Sequence, residues 1–156
     1  MRRVLPTVTP LYDPVGFIAP VIRRAKILLQ NLGRRKFGWD EPFCREDERV
    51  WSTWLQQLPE LASVAVPRCI LATGVSYASL KSLQLHHFAD ASTSGSGFVT
   101  YLRTVSYTEQ IHCAFLFGKA RLAPIKAVSV PRLELTAATL AVKINGMIKR
   151  GMQVED

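Results

Sequence analysis

Two acids stand out because the chain around them holds so few others. Between residues 61 and 133 the only acids are Asp90 and Glu109, and Glu134 follows directly after that span. Asp90 comes straight after an apolar strand-like run and precedes Ala91-Ser92. A buried, unpaired carboxylate costs several kcal/mol, so Asp90 calls for a partner, a metal or solvent. Taken alone it also reads as a turn initiator. Glu134 falls in the first turn of a terminal helix, where the helix dipole alone accounts for an acid. Together the two offer more. A helix packed across a three-stranded antiparallel meander brings its first turn beside the end of the first strand. Two carboxylates meeting there carry the hard oxygen donors that a divalent cation takes.

Other constellations are weaker. His86 and His87 are neighbours on one strand, so they point to opposite faces and share no metal; His112-Cys113 has the same defect. Ser94-Gly95-Ser96-Gly97 lacks the leading glycine of a nucleophile elbow. Thr100 stands where a dinucleotide-binding loop starting at Gly95 would need its third glycine. Trp51 and Trp54, three residues apart, read as core of a helix rather than as base-stacking platforms.

The elements that must position the two acids are legible from periodicity. Asp13-Pro14-Val15-Gly16 reads as a turn. Pro20 opens a helix in which Val21, Ile22, Ala25, Leu28, Leu29 and Leu32 form one stripe, with Gly33 and Gly38 ending the pattern. A second helix is expected from Glu46 to Leu58, its acids at the positive end and Pro59 stopping it. After Pro67 the texture turns to strands. Cys69 to Ala72 is a short one. Leu83 to Phe88 is stronger, with Leu83, Leu85 and His87 on one face and Gln84, His86, Phe88 and Asp90 on the other. Ser92 to Gly97 reads as a turn into Phe98 to Arg103. Residues 104–110 read as a hairpin connection, and Ile111 to Phe117 as a third strand. Lys119 to Val130 is a basic connection. Pro131 opens the last helix, with Leu133, Ala137, Leu140, Ile144 and Ile148 on one stripe.

The 156 residues carry 20 Lys+Arg against 12 Asp+Glu, a net charge of +8. The surplus is uneven, because residues 51–100 hold only two of each sign. Within 119–150 seven bases face the single acid Glu134, which permits a nucleic-acid partner. A hydrophobic share of 48% against 21% charged argues against disorder throughout. No apolar run approaches the ~18 residues of a membrane span, and the N-terminus lacks a signal-peptide core, so an intracellular location without membrane contact is expected. Three separated cysteines give neither a disulfide framework nor a Cys-rich zinc site.

Several linked motifs resemble Bel/Pao-type retrotransposon polyproteins. Leu11-Tyr12-Asp13-Pro14-Val15-Gly16-Phe17-Ile18-Ala19-Pro20 and the helix after it resemble the segment downstream of the polymerase palm. Trp39-Asp40-Glu41-Pro42, Trp51-Ser52-Thr53-Trp54-Leu55 and Val66-Pro67-Arg68-Cys69-Ile70 continue that likeness. Phe88-Ala89-Asp90-Ala91-Ser92 resembles the first-strand motif of the ribonuclease H-like domain of these elements. Lys119 to Pro124 and Val130 to Leu135 resemble its third strand and the start of its first helix.

The resemblance implies a mixed α/β chain. Residues 1–66 would form a helical connection region, and residues 67–156 a partial ribonuclease H-like domain of three antiparallel strands and the first helix. It makes Asp90 and Glu134 catalytic, metal-binding carboxylates for Mg²⁺. In a complete site, further acids help hold two ions, which drive hydrolysis of the RNA strand of an RNA–DNA hybrid. Lys119, Arg121 and Arg132 stand near enough in sequence to take phosphates. The family's third aspartate, in a Thr-Asp-Ser-like context, has no counterpart here, and Val154-Glu155-Asp156 lacks the motif. The chain is therefore expected to be a polyprotein fragment with half a site, little activity alone, and an exposed sheet edge and face. A nucleic-acid-binding module without chemistry, and a structural remnant of the polyprotein, are the competing functions.

Overall fold

Apolar residues at three- and four-residue spacing from Val21 to Leu32 form α2 (Ala19–Arg34), with Pro20 as its second residue, in the first turn where no backbone donor is needed. The computed structural model describes residues 2–67 and 69–152 and divides into two units, Met1–Val66 and Pro67–Asp156. In the first unit, α1 (Val4–Val8) precedes α2, and α3 (Arg45–Gln57) follows it. The five residues of α1 are too few to show a helical period, so nothing in the sequence marked them. Gly33 stays inside α2 rather than ending it. Past Gln57 the chain tightens into a 3-10 turn, Leu58–Ser63, which accepts Pro59 near its start.

One apolar cluster holds this unit together: Val4, Val8, Ile22, Ala25, Leu28, Leu32, Trp51 and Trp54. The two indoles stack at 5.1 Å, and Trp54 Nε1–H donates to the Val21 carbonyl at 2.9 Å. Both belong to the core, as their spacing implied. The Asp13 carboxylate accepts from the amides of Gly16 and Ile18 and closes the turn that aims α2. Gly16 lies at φ 90°, a conformation glycine adopts without strain.

The second unit is an antiparallel meander, β1 (Leu80–Ser92), β2 (Gly95–Ser106) and β3 (Ile111–Leu122), followed by α4 (Val130–Met152). Alternation along β1 sends Leu83, Leu85 and His87 to the face that α4 covers. Their partners Thr104, Leu102 and Thr100 on β2 share that face, and all three are buried. Leu133, Ala137 and Ala141 of α4 complete the core. The other face carries Phe88, Tyr101 and Phe115 in edge-on ring contacts, with Phe88 59% exposed.

The strands run longer than local patterning indicated. The turn expected over 92–97 shrinks to Thr93-Ser94, where the Ser92 hydroxyl takes the Ser94 amide. Gly95, Ser96 and Gly97 are thereby free to pair with residues 120–122, so Lys119 to Leu122 belongs to β3 and not to a connection. Cys69 to Ala72 forms no strand. Leu71 is buried, but Gly74, at φ 79°, turns the chain directly afterwards and leaves the run too short to pair.

Candidate functional site

Asp90 lies inside β1, paired with Gly97, two residues before the strand ends. Its turn-initiator reading is thereby excluded. α4 begins at Val130, so Glu134 falls just past the first turn, and no acid occupies that turn. The dipole therefore does not account for Glu134. Both carboxylates are exposed. Among the described residues neither is joined to a base by an ion pair or hydrogen bond.

Topology brings the two acids to one end of the sheet. β1 ends at Ser92, β2 starts at Gly95, and β3 ends at Leu122 opposite Gly95. The Ala123 amide donates to the Ser94 carbonyl there, and residues 123–129 lead from that end into α4. Glu134 and Asn145 are eleven residues apart on α4, about three turns, and so share one flank. Asn145 reaches His87 on β1, which identifies that flank as the one over β1. β1 is an edge strand.

Asp90 alternates with His87 and so belongs to the face opposite α4. The pair thus belongs to opposite faces at one end of the sheet, not stacked on one face. The rung Asp90–Gly97–Ala120 leaves the aspartate without a bulky cross-strand neighbour.

The basic residues are distributed differently. Lys119 pairs with Phe98 and Arg121 with Ser96, so both lie on the face opposite Asp90, at the third strand. α4 packs on β1 and β2, and both side chains are exposed. Arg132 and Glu134, two residues apart, fall on opposite flanks of the helix. All three bases sit at the same end of the sheet as the acids, but they do not surround them.

Two polar clusters went unseen in the sequence. His87 joins Thr100 at 2.8 Å and Asn145 at 3.0 Å. The only sequence sign was a histidine at an inward strand position. In the helical unit, Arg35 Nη2 donates to both Asp47 oxygens at 2.8 and 2.7 Å, and the Cys44 thiol donates to Oδ2 at 3.1 Å. Burial pushes the Asp47 carboxyl up, but the Cys44 and Arg35 hydrogen bonds and the Arg35 charge outweigh it. The net effect holds the group below the ordinary carboxylate range.

Among the described residues no three His, Cys, Asp or Glu side chains gather into a metal cage. Glu155 and Asp156 lie outside the described residues. Mg²⁺, however, commonly takes one or two carboxylates and fills its remaining positions with water and substrate phosphates. Two unpaired carboxylates at one end of the sheet fit one such ion in donor type, though not the ligand set of a two-ion site. No described helix is long and apolar enough to cross a membrane.

A three-stranded meander followed by a helix across it, with carboxylates on the first strand and early in that helix, defines a partial ribonuclease H-like fold. The chain belongs to the family described as the Pao retrotransposon-like RNaseH-like domain, whose model it matches over residues 1–156. No curated protein and no solved structure matches it.

Proposed function

We propose that this chain carries half of a Mg²⁺-dependent ribonuclease H-type site, formed by Asp90 and Glu134, within a segment of a retrotransposon polyprotein that handles RNA–DNA hybrid. The observation that carries this reading is that both acids stand exposed and unpaired at one end of the sheet, where Lys119, Arg121 and Arg132 also lie. A solvated surface acid in such surroundings gains by pairing, whereas a metal ligand must stay available. Bound Mg²⁺ supplies activation of water and stabilisation of the leaving 3′ oxygen. The two carboxylates hold the ion, and the open row beside Asp90 lets a backbone approach. Lys119, Arg121 and Arg132 neutralise phosphates at the same sheet end.

Two carboxylates leave the two-ion ligand set incomplete, so the chain alone is expected to give no turnover on labelled RNA in an RNA–DNA hybrid with Mg²⁺. Metal-dependent cleavage that vanishes in Asp90→Asn would overturn the half-site reading. A second reading, hybrid binding without chemistry, draws on the placement of Lys119 and Arg121 away from Asp90. Salt-dependent hybrid binding that persists in Asp90→Asn/Glu134→Gln, with no metal binding in the wild-type chain, favours it.

A further inference from the structure

His87 ties α4 to two strands through one imidazole. With Asn145 Oδ1 as acceptor, Nε2–H donates at 3.0 Å, and the Thr100 hydroxyl oxygen lies 2.8 Å from Nδ1. Thr100 is fully buried in the middle strand, so the ring is held from both sides. The rest of the helix contact is Leu133 and the small side chains Ala137 and Ala141, with half-buried Leu140, Ile144 and Ile148 beside them. Apolar contacts of that kind are non-directional and tolerate rotation or sliding of the helix. A hydrogen bond at 3.0 Å is directional and does not.

The placement matters because Asn145 shares its flank with Glu134, while His87 lies three residues before Asp90 on β1. Asn145 is about 16 Å along the helix from Glu134. His87 is about 10 Å along the strand from Asp90. One bond between these elements therefore ties α4, which carries Glu134, to β1, which carries Asp90. A metal ligand must be held to within about 0.5 Å of its working position, and packing by Ala137 and Ala141 does not supply that.

We propose that His87 is a positioning residue for the carboxylate pair, acting through Asn145 to place Glu134 against Asp90. This rests on the reading of Asp90 and Glu134 as joint Mg²⁺ ligands. Asn145→Asp keeps an oxygen acceptor for Nε2–H, and Asn145→Leu removes it while keeping the apolar volume. Asn145→Ser stays polar but is too short to reach the ring.

The test is a Mg²⁺ titration of the ¹⁵N-labelled full chain, reading the Asp90 and Glu134 amides together with the His87 ring nitrogens. In the wild type both amides respond with one midpoint, and the ring shows the Nε2–H pattern. Asn145→Leu weakens the shared midpoint about tenfold and shifts the Glu134 amide before metal is added, while Asn145→Asp stays near wild type. Asn145→Ser carries the same expectation as the leucine variant wherever the latter fails to fold. An unchanged midpoint in Asn145→Leu and Asn145→Ser, with both amides still responding together, overturns the positioning role and leaves the carboxylate reading intact. No joint response in the wild type overturns both.

Discussion

Asp90 stands directly across from Gly97, and Ala120 completes their row, so the carboxylate meets no bulky cross-strand neighbour in that row. A longer side chain in either position would lie beside or over it. The glycine also has a packing reason, since a Cβ there would come 3.3 Å from the Lys119 carbonyl oxygen. Both constraints act at the same residue, and they separate by substitution.

Gly97→Ala crowds the β2–β3 pairing and should cost about 1–3 kcal/mol of stability, read from the urea midpoint. The methyl is too small to cover Asp90, so Mg²⁺ response at the Asp90 amide persists in the folded fraction. Loss of that response without loss of stability would show that the row matters for the ion and not for packing.

The helical unit has its own pH signature. The folded Asp47 carboxyl titrates below its ordinary value of 3.8, so its contribution is complete above that value. It fades as pH falls through the lower folded value. The stability gap between wild type and Asp47→Asn should be widest near neutral pH and close below about pH 4. Chemical denaturation at stepped pH measures it, and a gap independent of pH would remove the Arg35–Asp47 pair from the account.

Trp51 is 2% exposed and stacks on Trp54, so Trp51→Ala should cost about 3–5 kcal/mol. Trp54→Phe keeps the ring contact and loses the indole N–H bond to Val21, at about 1 kcal/mol. Equal costs in thermal melts would mean that the stacked pair does not organise the core.

Each of Lys119→Gln, Arg121→Gln and Arg132→Gln should lower hybrid affinity and reduce the salt slope by about one. Fluorescence anisotropy across a salt series reads both quantities. A slope unchanged in all three variants would place the backbone contacts elsewhere on the chain.

Much of this arrangement was legible because period and composition dictate it. The stripe from Val21 to Leu32 and the alternation from Leu83 to Phe88 each name their buried face, and the order of three strands then a helix follows. Strand ends were not legible. Ser92 to Gly97 reads locally as a turn, and only pairing with residues 120–122 draws its glycines into β2 and Lys119 and Arg121 into β3. The site was half legible. Scarcity of acids singled out Asp90 and Glu134, but their placement on opposite faces at one end of the sheet depends on register. The His87–Asn145 tie joins residues 58 apart in sequence, and no local pattern announces such a contact.

The most direct test of the central claim is paramagnetic. Mn²⁺ in place of Mg²⁺, added in small amounts to the ¹⁵N-labelled full chain, broadens amides close to the bound ion. The Asp90 and Glu134 signals are expected to broaden together at the same Mn²⁺ concentration, and both to recover in Asp90→Asn. Broadening of one acid without the other, or of neither, would contradict a shared carboxylate site.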